Sequence, residues 1–353
     1  MLSLVQKPVS VRRPVPLDRT ELAAEWLMES GICGPGFGVA EEFRTDGTEY
    51  SPISMKATAC YITTLLWLYE TFGETSYIDR ALTAAQYLFG TWQDTNGLVM
   101  KGGTAGYNRS AHRRLDEGGA MLRAMVESWR ASQHAEFLAK AIEWANSMRR
   151  IPGLCPLGSA RGWLALAQAT GTAHWREPYD RAISWNLRFY GSQKGDQSEP
   201  WAAAANTLSS SSLTNRCSFL EALLANFTRP RKHAGENVRI FERVFQVTSD
   251  ELLGLSDAPT ETCARLLRLQ LHATGLGLIK LDLQRAERTA DLIRAMQADH
   301  ADSRIHGGFY ANRPSHPSFG SVRLTTTAVA LQALAYWAQY QQGCFDPAPL
   351  DLV

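Results

Sequence analysis

The feature that most constrains this chain is a recurring pair of helices, the first apolar on nearly all sides and the second apolar along one stripe. Thr58–Glu70 (TACYITTLLWLYE) has almost no polar face, whereas Tyr77–Trp92 (YIDRALTAAQYLFGTW) turns Asp79, Arg80 and Gln86 away from its stripe. A helix that is apolar all round has to be buried, and a one-sided helix lies at the periphery. The pair recurs as Leu115–Arg130 with Ala135–Met148, Leu157–Thr170 with Arg176–Phe189, Leu213–Phe227 with roughly 236–253, and Glu261–Thr274 with roughly 281–299. Arg323–Tyr340 has no successor, and its natural partner is the first helix, about Arg19–Glu29.

Each hairpin needs both neighbours to bury its apolar faces, so a first helix that completes the last pair favours a closed ring over an open solenoid. The expected fold is all-α: an (α/α)6 toroid of about twelve helices in inner and outer pairs. The domain reading is an N-terminal extension over 1–17, one toroid over 18–342 and a C-terminal tail over 343–353. No strand-like alternation of useful length and no linker interrupts it.

Composition narrows the function. Hydrophobic residues make up 45% of the 353 positions and charged residues 20%, enough apolar material for a sizeable core. Thirty-six basic residues against thirty-five acidic ones leave a net charge of +1, which supplies no field to hold a polyanion, so nucleic acid is not expected as a partner. Pro8, Pro14 and Pro16 break up the first seventeen residues, and no apolar run approaches a membrane span; the cytoplasm is the expected compartment. Six scattered cysteines without a C-x-x-C pair read as reduced thiols, and neither a metal nor a cofactor is expected.

The loops point to one face. Connections from inner to outer helices are short (TFGETS, ASQH, GTAHW), but those from outer to inner helices are long: Gly31–Met55, Gln93–Arg114, Gly191–Ser212 and Asp299–Ser321. In a toroid they all leave above the N-termini of the inner helices. Long loops on a rigid scaffold concentrate function, and the helix N-termini favour anionic or hydroxyl-rich ligands.

Asp116 and Glu117 stand at the start of the second inner helix beside Arg113, with Gly118 and Gly119 leaving room at the bore. Acidic residues in a first turn are ordinary dipole partners, yet paired carboxylates also suit acid–base work on a glycosidic bond. The first long loop offers Glu42 and Glu49 as the opposing carboxylate, followed by Tyr50 and Lys56 for substrate binding. The second loop adds Tyr107. The last holds His306, Tyr310 and Arg313, with Arg323 at the helix entrance. Arg161, Trp163, Trp201, Arg216 and Arg265 complete the binding candidates. Inner-helix arginines are costly unless paired or facing a cavity, so they mark either a polar mouth or ion pairs that stitch hairpins together.

The stretches Tyr61–Leu66, Gly73–Tyr77 and Thr326–Leu334 resemble those of the six-hairpin toroids among carbohydrate-active enzymes: glycoside hydrolases, polysaccharide lyases, sugar epimerases and toroid proteins of polysaccharide biosynthesis. The resemblance spans nearly the whole chain and implies a poly- or oligosaccharide substrate. Gln93–Gly97 and His306–Phe309 are more weakly similar to turns of terpenoid-cyclase toroids, but the aspartate-rich cluster or zinc spacing those enzymes need is missing. The expected activity is cleavage of a glycosidic bond, with Asp116 or Glu117 as one acid/base group and an acid of the Glu42–Glu49 loop as the other. A uronate lyase or epimerase would instead use Tyr310 or His306 on the C5 proton, with Arg161, Arg216 or Arg323 neutralising the sugar carboxylate. A non-catalytic toroid that binds a glycan or a protein is the third reading.

Overall fold

The computed structural model describes residues 18–46, 49–92, 111–150, 157–191, 210–225, 227, 234–255, 257–313 and 320–346. Within them run twelve α-helices: α1 (Asp18–Glu29), α2 (Met55–Phe72), α3 (Thr75–Trp92), α4 (Ala111–Ser132), α5 (Ala135–Met148), α6 (Leu157–Thr170), α7 (Glu177–Gly191), α8 (Ser210–Leu224), α9 (Ala234–Leu253), α10 (Thr260–Gly275), α11 (Leu283–Arg294) and α12 (Leu324–Gln341). The inner helices form a closed ring in the order α2, α4, α6, α8, α10, α12, with α12 packed back on α2. Outside it α3 lies on α2, α5 on α4, α7 on α6, α9 on α8 and α11 on α10, while α1 covers α12 across the seam. The fold is the (α/α)6 toroid that the hairpin repeat predicts.

Burial follows the sequence pattern. Tyr61, Ile62, Leu65 and Leu68 of α2 are wholly buried, whereas outer helix α5 buries a single stripe built on Phe137, Ala141, Trp144 and Met148. The tight inner-to-outer joints need a left-handed residue to turn the chain. Gly73 takes φ 78° and donates its N–H to the Tyr69 carbonyl, ending α2. Gln133 takes φ 61° at the corresponding place after α4, against the ordinary preference for glycine.

Three sequence expectations are corrected by the structure. Gly118 and Gly119 do not open the bore. A Cβ on Gly118 would lie 2.2 Å from the Met148 sulfur of α5, and one on Gly119 would lie 2.1 Å from Cβ of Ser159 on α6. Gly162 answers from α6, where a Cβ would stand 2.0 Å from the Gly119 carbonyl oxygen. These glycines let α4 seat closely against its neighbours. Secondly, the long loops contain strands: β1 (Glu42–Arg44), β2 (Glu49–Tyr50) and β3 (Ser321–Arg323) form an antiparallel sheet ordered β2-β1-β3, with Phe43 opposite both Tyr50 and Val322. Segments of two or three residues are too short for alternation to show in a sequence. The sheet fastens the first long loop to the last one around the buried Phe43 and Val322. Outer helix α11 also stops at Arg294 rather than near 299, because Gln297 is drawn into a bridge with Phe309.

Candidate active site at the ring mouth

Side chains from all six inner helices converge in the bore. At its mouth Lys56 of α2 sends Nζ to within 2.7 Å of an Asp116 oxygen on α4. Glu261 and Arg265, both on α10, act on the same ammonium. Desolvation pulls the Lys56 pKa down, but the charges of Asp116 and Glu261 more than offset it, and the ammonium titrates above its usual value. Gly158 at the start of α6 makes the space for Asp116: a Cβ there would lie 2.6 Å from Oδ1.

One turn deeper lies Glu221 of α8, 3% exposed. It accepts from Arg265 Nε at 3.0 Å and Nη2 at 2.6 Å, and from Arg268 Nη2 at 2.9 Å. Nη1 of Arg161 on α6 stands 3.6 Å away. Burial pushes the Glu221 pKa up, yet the arginines overcome it and hold the carboxyl at about 2. Glu221 is therefore an ion at working pH, with its oxygens engaged, and is unsuited to proton transfer. Arg268 also donates to Gln332 of α12, whose amide meets the Tyr336 hydroxyl at 3.1 Å. Trp67 of α2 donates to the same hydroxyl at 3.1 Å. Below them His272, fully buried, meets Tyr336 and Phe345 edge to face, so the start of the C-terminal tail closes the floor. Burial and the nearby charges of Arg268 and Arg161 lower its pKa to about 3, and neither ring nitrogen has a hydrogen-bond partner.

Of the residues expected from sequence, the structure brings Lys56, Asp116, Arg161 and Arg265 into this cluster. Glu117 is buried next to Asp116 on α4. Arg216 turns instead to the outer layer and pairs with Glu251 of α9 at 2.6 Å, and Trp163 stacks on Trp175 within the wall. Glu42 and Arg323 engage each other at 2.8 Å across the sheet, so the ion-pair alternative holds for this arginine. Tyr50 packs its ring on Phe43 and donates its hydroxyl to the Ser30 carbonyl, and Glu49 is exposed on β2. His306 lies 3.7 Å from Asp299 within the last loop; Tyr310, half-buried, bridges Val322 through its backbone, and Arg313 is exposed. Among the described residues none of these loop groups contacts the bore cluster. Tyr107 and Trp201 lie outside the described residues, as does the side chain of Arg113.

Glu221, Arg268 and Gln332 escape the sequence reading. A signal was available for one: Glu261, Arg265, Arg268 and His272 fall at helical spacing on one face of an otherwise apolar inner helix, a polar stripe that has to face a bore. Among the described residues no group of three or more His, Cys, Asp or Glu is placed to hold a metal ion, and no helix is long and apolar enough to cross a membrane.

The fold places the chain structurally among helical toroids. The sequence matches no protein-family profile and no curated protein. Among solved structures it is similar to a D-mannose isomerase, with a TM-score of 0.66 at 10% identity over 92% of this chain and 96% of that one. It is similar to an unsaturated glucuronyl hydrolase specific for heparin, with a TM-score of 0.65 at 9% identity over 92% and 97%. A cellobiose 2-epimerase from Spirochaeta thermophila gives a TM-score of 0.66 at 14% identity over 92% and 97%. At these identities the likeness is one of fold.

Proposed function

We propose that the ring mouth is the active site of an enzyme acting on a poly- or oligosaccharide, and that it cleaves a glycosidic bond with a pair of carboxylates. The observation that carries this reading is the arrangement of Asp116 and Glu261 on α4 and α10, helices at opposite points of the ring, with Lys56 Nζ 2.7 Å from Asp116 and Arg265 3.8 Å from Glu261. Three solved structures that share the toroid are, by name, sugar isomerase, epimerase and glycoside hydrolase, which supports a sugar substrate.

The two carboxylates take different roles. Asp116 holds Oδ2 on Lys56 and Oδ1 over Gly158, a placing that suits a base taking a proton from attacking water. Glu261, partly exposed and 3.8 Å from Arg265, stands on the leaving-oxygen side of the mouth, where it passes on a proton taken up from solvent. In this scheme Glu261 replaces Glu42 as the opposing group, since Glu42 is engaged with Arg323. Glu221 contributes a fixed charge that orders the arginines beneath.

The reading is tested by reducing-end release from a panel of neutral and uronate-containing oligosaccharides. Asp116→Asn and Glu261→Gln are each expected to lower kcat by roughly 10²–10⁴-fold, with KM changing far less. Full activity in both variants overturns the assignment.

A further inference from the structure

The three guanidiniums around Glu221 are not neutralised alike. Arg265 gives Nε and Nη2 to the Glu221 carboxylate, shares Nη2 with Ser218 at 2.8 Å, and has Glu261 3.8 Å from Nη1. Arg268 gives Nη2 to Glu221 and Nη1 to Gln332. Among the described residues Arg161 makes no hydrogen bond: Nη1 stops 3.6 Å from Glu221, and Nη2 is buried with no acceptor. Among the described residues three guanidiniums thus share the one buried carboxylate of Glu221, and Arg161 holds the weakest share of it. Arg123 of α4 and both α10 arginines repel Arg161, and His272 is neutral. A largely buried cation whose counter-ion is already bonded to two other arginines is costly, and perturbed charges of this kind cluster at functional sites.

Its position suits that use. Arg161 lies one helical turn below Gly158, whose open space holds the Asp116 carboxylate. Three residues rise about 4.5 Å, comparable to the width of a sugar ring. Some 14% of the Arg161 side chain remains accessible although Glu221 beside it is almost fully covered. A guanidinium fork matches a planar carboxylate with two parallel N–H···O bonds.

We infer that the bore contains a carboxylate-binding subsite centred on Arg161, and that the substrate is an acidic sugar, a uronosyl residue whose C5 carboxylate provides the counter-charge while its glycosidic bond meets Asp116. The inference rests on the reading of the mouth as a sugar site.

The test is calorimetric titration of the full chain and of Arg161→Gln and Arg161→Lys with D-glucuronate, D-glucose, D-glucose 6-phosphate and acetate, alongside thermal melting. The wild type is expected to bind glucuronate about tenfold to a hundredfold more tightly than glucose. Arg161→Gln erases that preference, and Arg161→Lys, which keeps the charge without the fork, retains part of it. Arg161→Gln also melts no lower than the wild type, since it removes a repelled cation. Equal affinity for glucuronate and glucose, a preference that survives Arg161→Gln, tightest binding of glucose 6-phosphate, or a large drop in melting temperature in both variants overturns the proposal. If acetate and glucuronate bind alike and depend on Arg161 while glucose does not bind, the anion subsite stands and the sugar reading of the mouth fails.

Discussion

Glu221 illustrates how a single buried charge is sustained. It tolerates 3% exposure because Arg265 and Arg268 bond it directly, and removing its charge would leave those cations stranded. Glu221→Gln is expected to destabilise the fold by about 3–5 kcal/mol, the usual cost of breaking a buried pair from one side, read as a lowered urea midpoint. Acid acts on the same group. Its folded pKa of about 2 lies below the ordinary 4.5, so its stabilisation is complete above pH 4.5 and is lost as the pH falls toward 2. His272 works in a higher window. With a folded pKa of about 3 against an ordinary 6.5, the unfolded chain takes up the proton first, and stability falls as the pH drops from 6.5 toward 3. His272→Leu should therefore flatten the loss between pH 6.5 and 3, by up to about 1.4 kcal/mol per pH unit, leaving only the share of Glu221 and the other carboxylates below 4.5. Urea midpoints at pH 7 and pH 5 decide it, and an unchanged difference between them in the variant counts against a buried neutral imidazole. Residues of this kind are only half legible in a sequence. Arg161 and Arg265 stand out because arginine on an apolar inner helix demands a partner. Glu221 sits within SFLEALL, which reads as an ordinary amphipathic turn, and its partners come from helices up to 60 residues distant that only ring closure brings near.

At the scale of elements, periodicity carries the helices well because each hairpin repeats the same contrast between all-round and one-sided burial. It fails for the sheet, whose strands of two and three residues owe their pairing to partners in a loop some 280 positions away. It also fails for the glycines of α4, since a missing side chain looks the same in a sequence whether it opens a pocket or admits a neighbouring helix. The close approach predicts the sign of two substitutions. Gly162→Ala drives a methyl into the Gly119 carbonyl at 2.0 Å and should cost about 1–3 kcal/mol or more as α4 and α6 are forced apart. Gly90→Ala, exposed on α3 with nothing within 4 Å, should instead stabilise by about 1 kcal/mol through helix propensity. Melting temperatures moving in opposite directions check the pair. Gln133→Gly is the matching test of the α4–α5 joint: it relieves a side chain held at φ 61° and should raise the melting temperature, about 1 kcal/mol being at stake.

For the whole molecule, what matters is that the ring closes. An open stack of hairpins loses its terminal unit locally, because each repeat leans only on its neighbours. Here α12 touches α2 as well as α10, and α1 covers α12 from outside. The first helix is bound to distant chain: the Trp26 indole donates to the Arg304 carbonyl at 2.9 Å, and the Tyr61 hydroxyl donates to the Leu27 carbonyl at 3.1 Å. Damage at the seam should therefore reach the far side. Trp26→Ala removes a side chain only 2% exposed and is expected to cost about 3–5 kcal/mol. In a closed ring the loss is shared by every hairpin, so native-state hydrogen exchange should speed up for buried amides of α6 and α8, opposite the seam, by nearly the same free energy as for α1 and α12. In an open stack the effect would fade with distance and leave α6 and α8 at their wild-type rates. The mouth depends on the same closure: Asp116 and Glu261 oppose each other only while α4 and α10 occupy opposite points of one ring, so Trp26→Ala should weaken carbohydrate turnover at temperatures well below its own unfolding transition, although Trp26 lies far from either carboxylate in sequence.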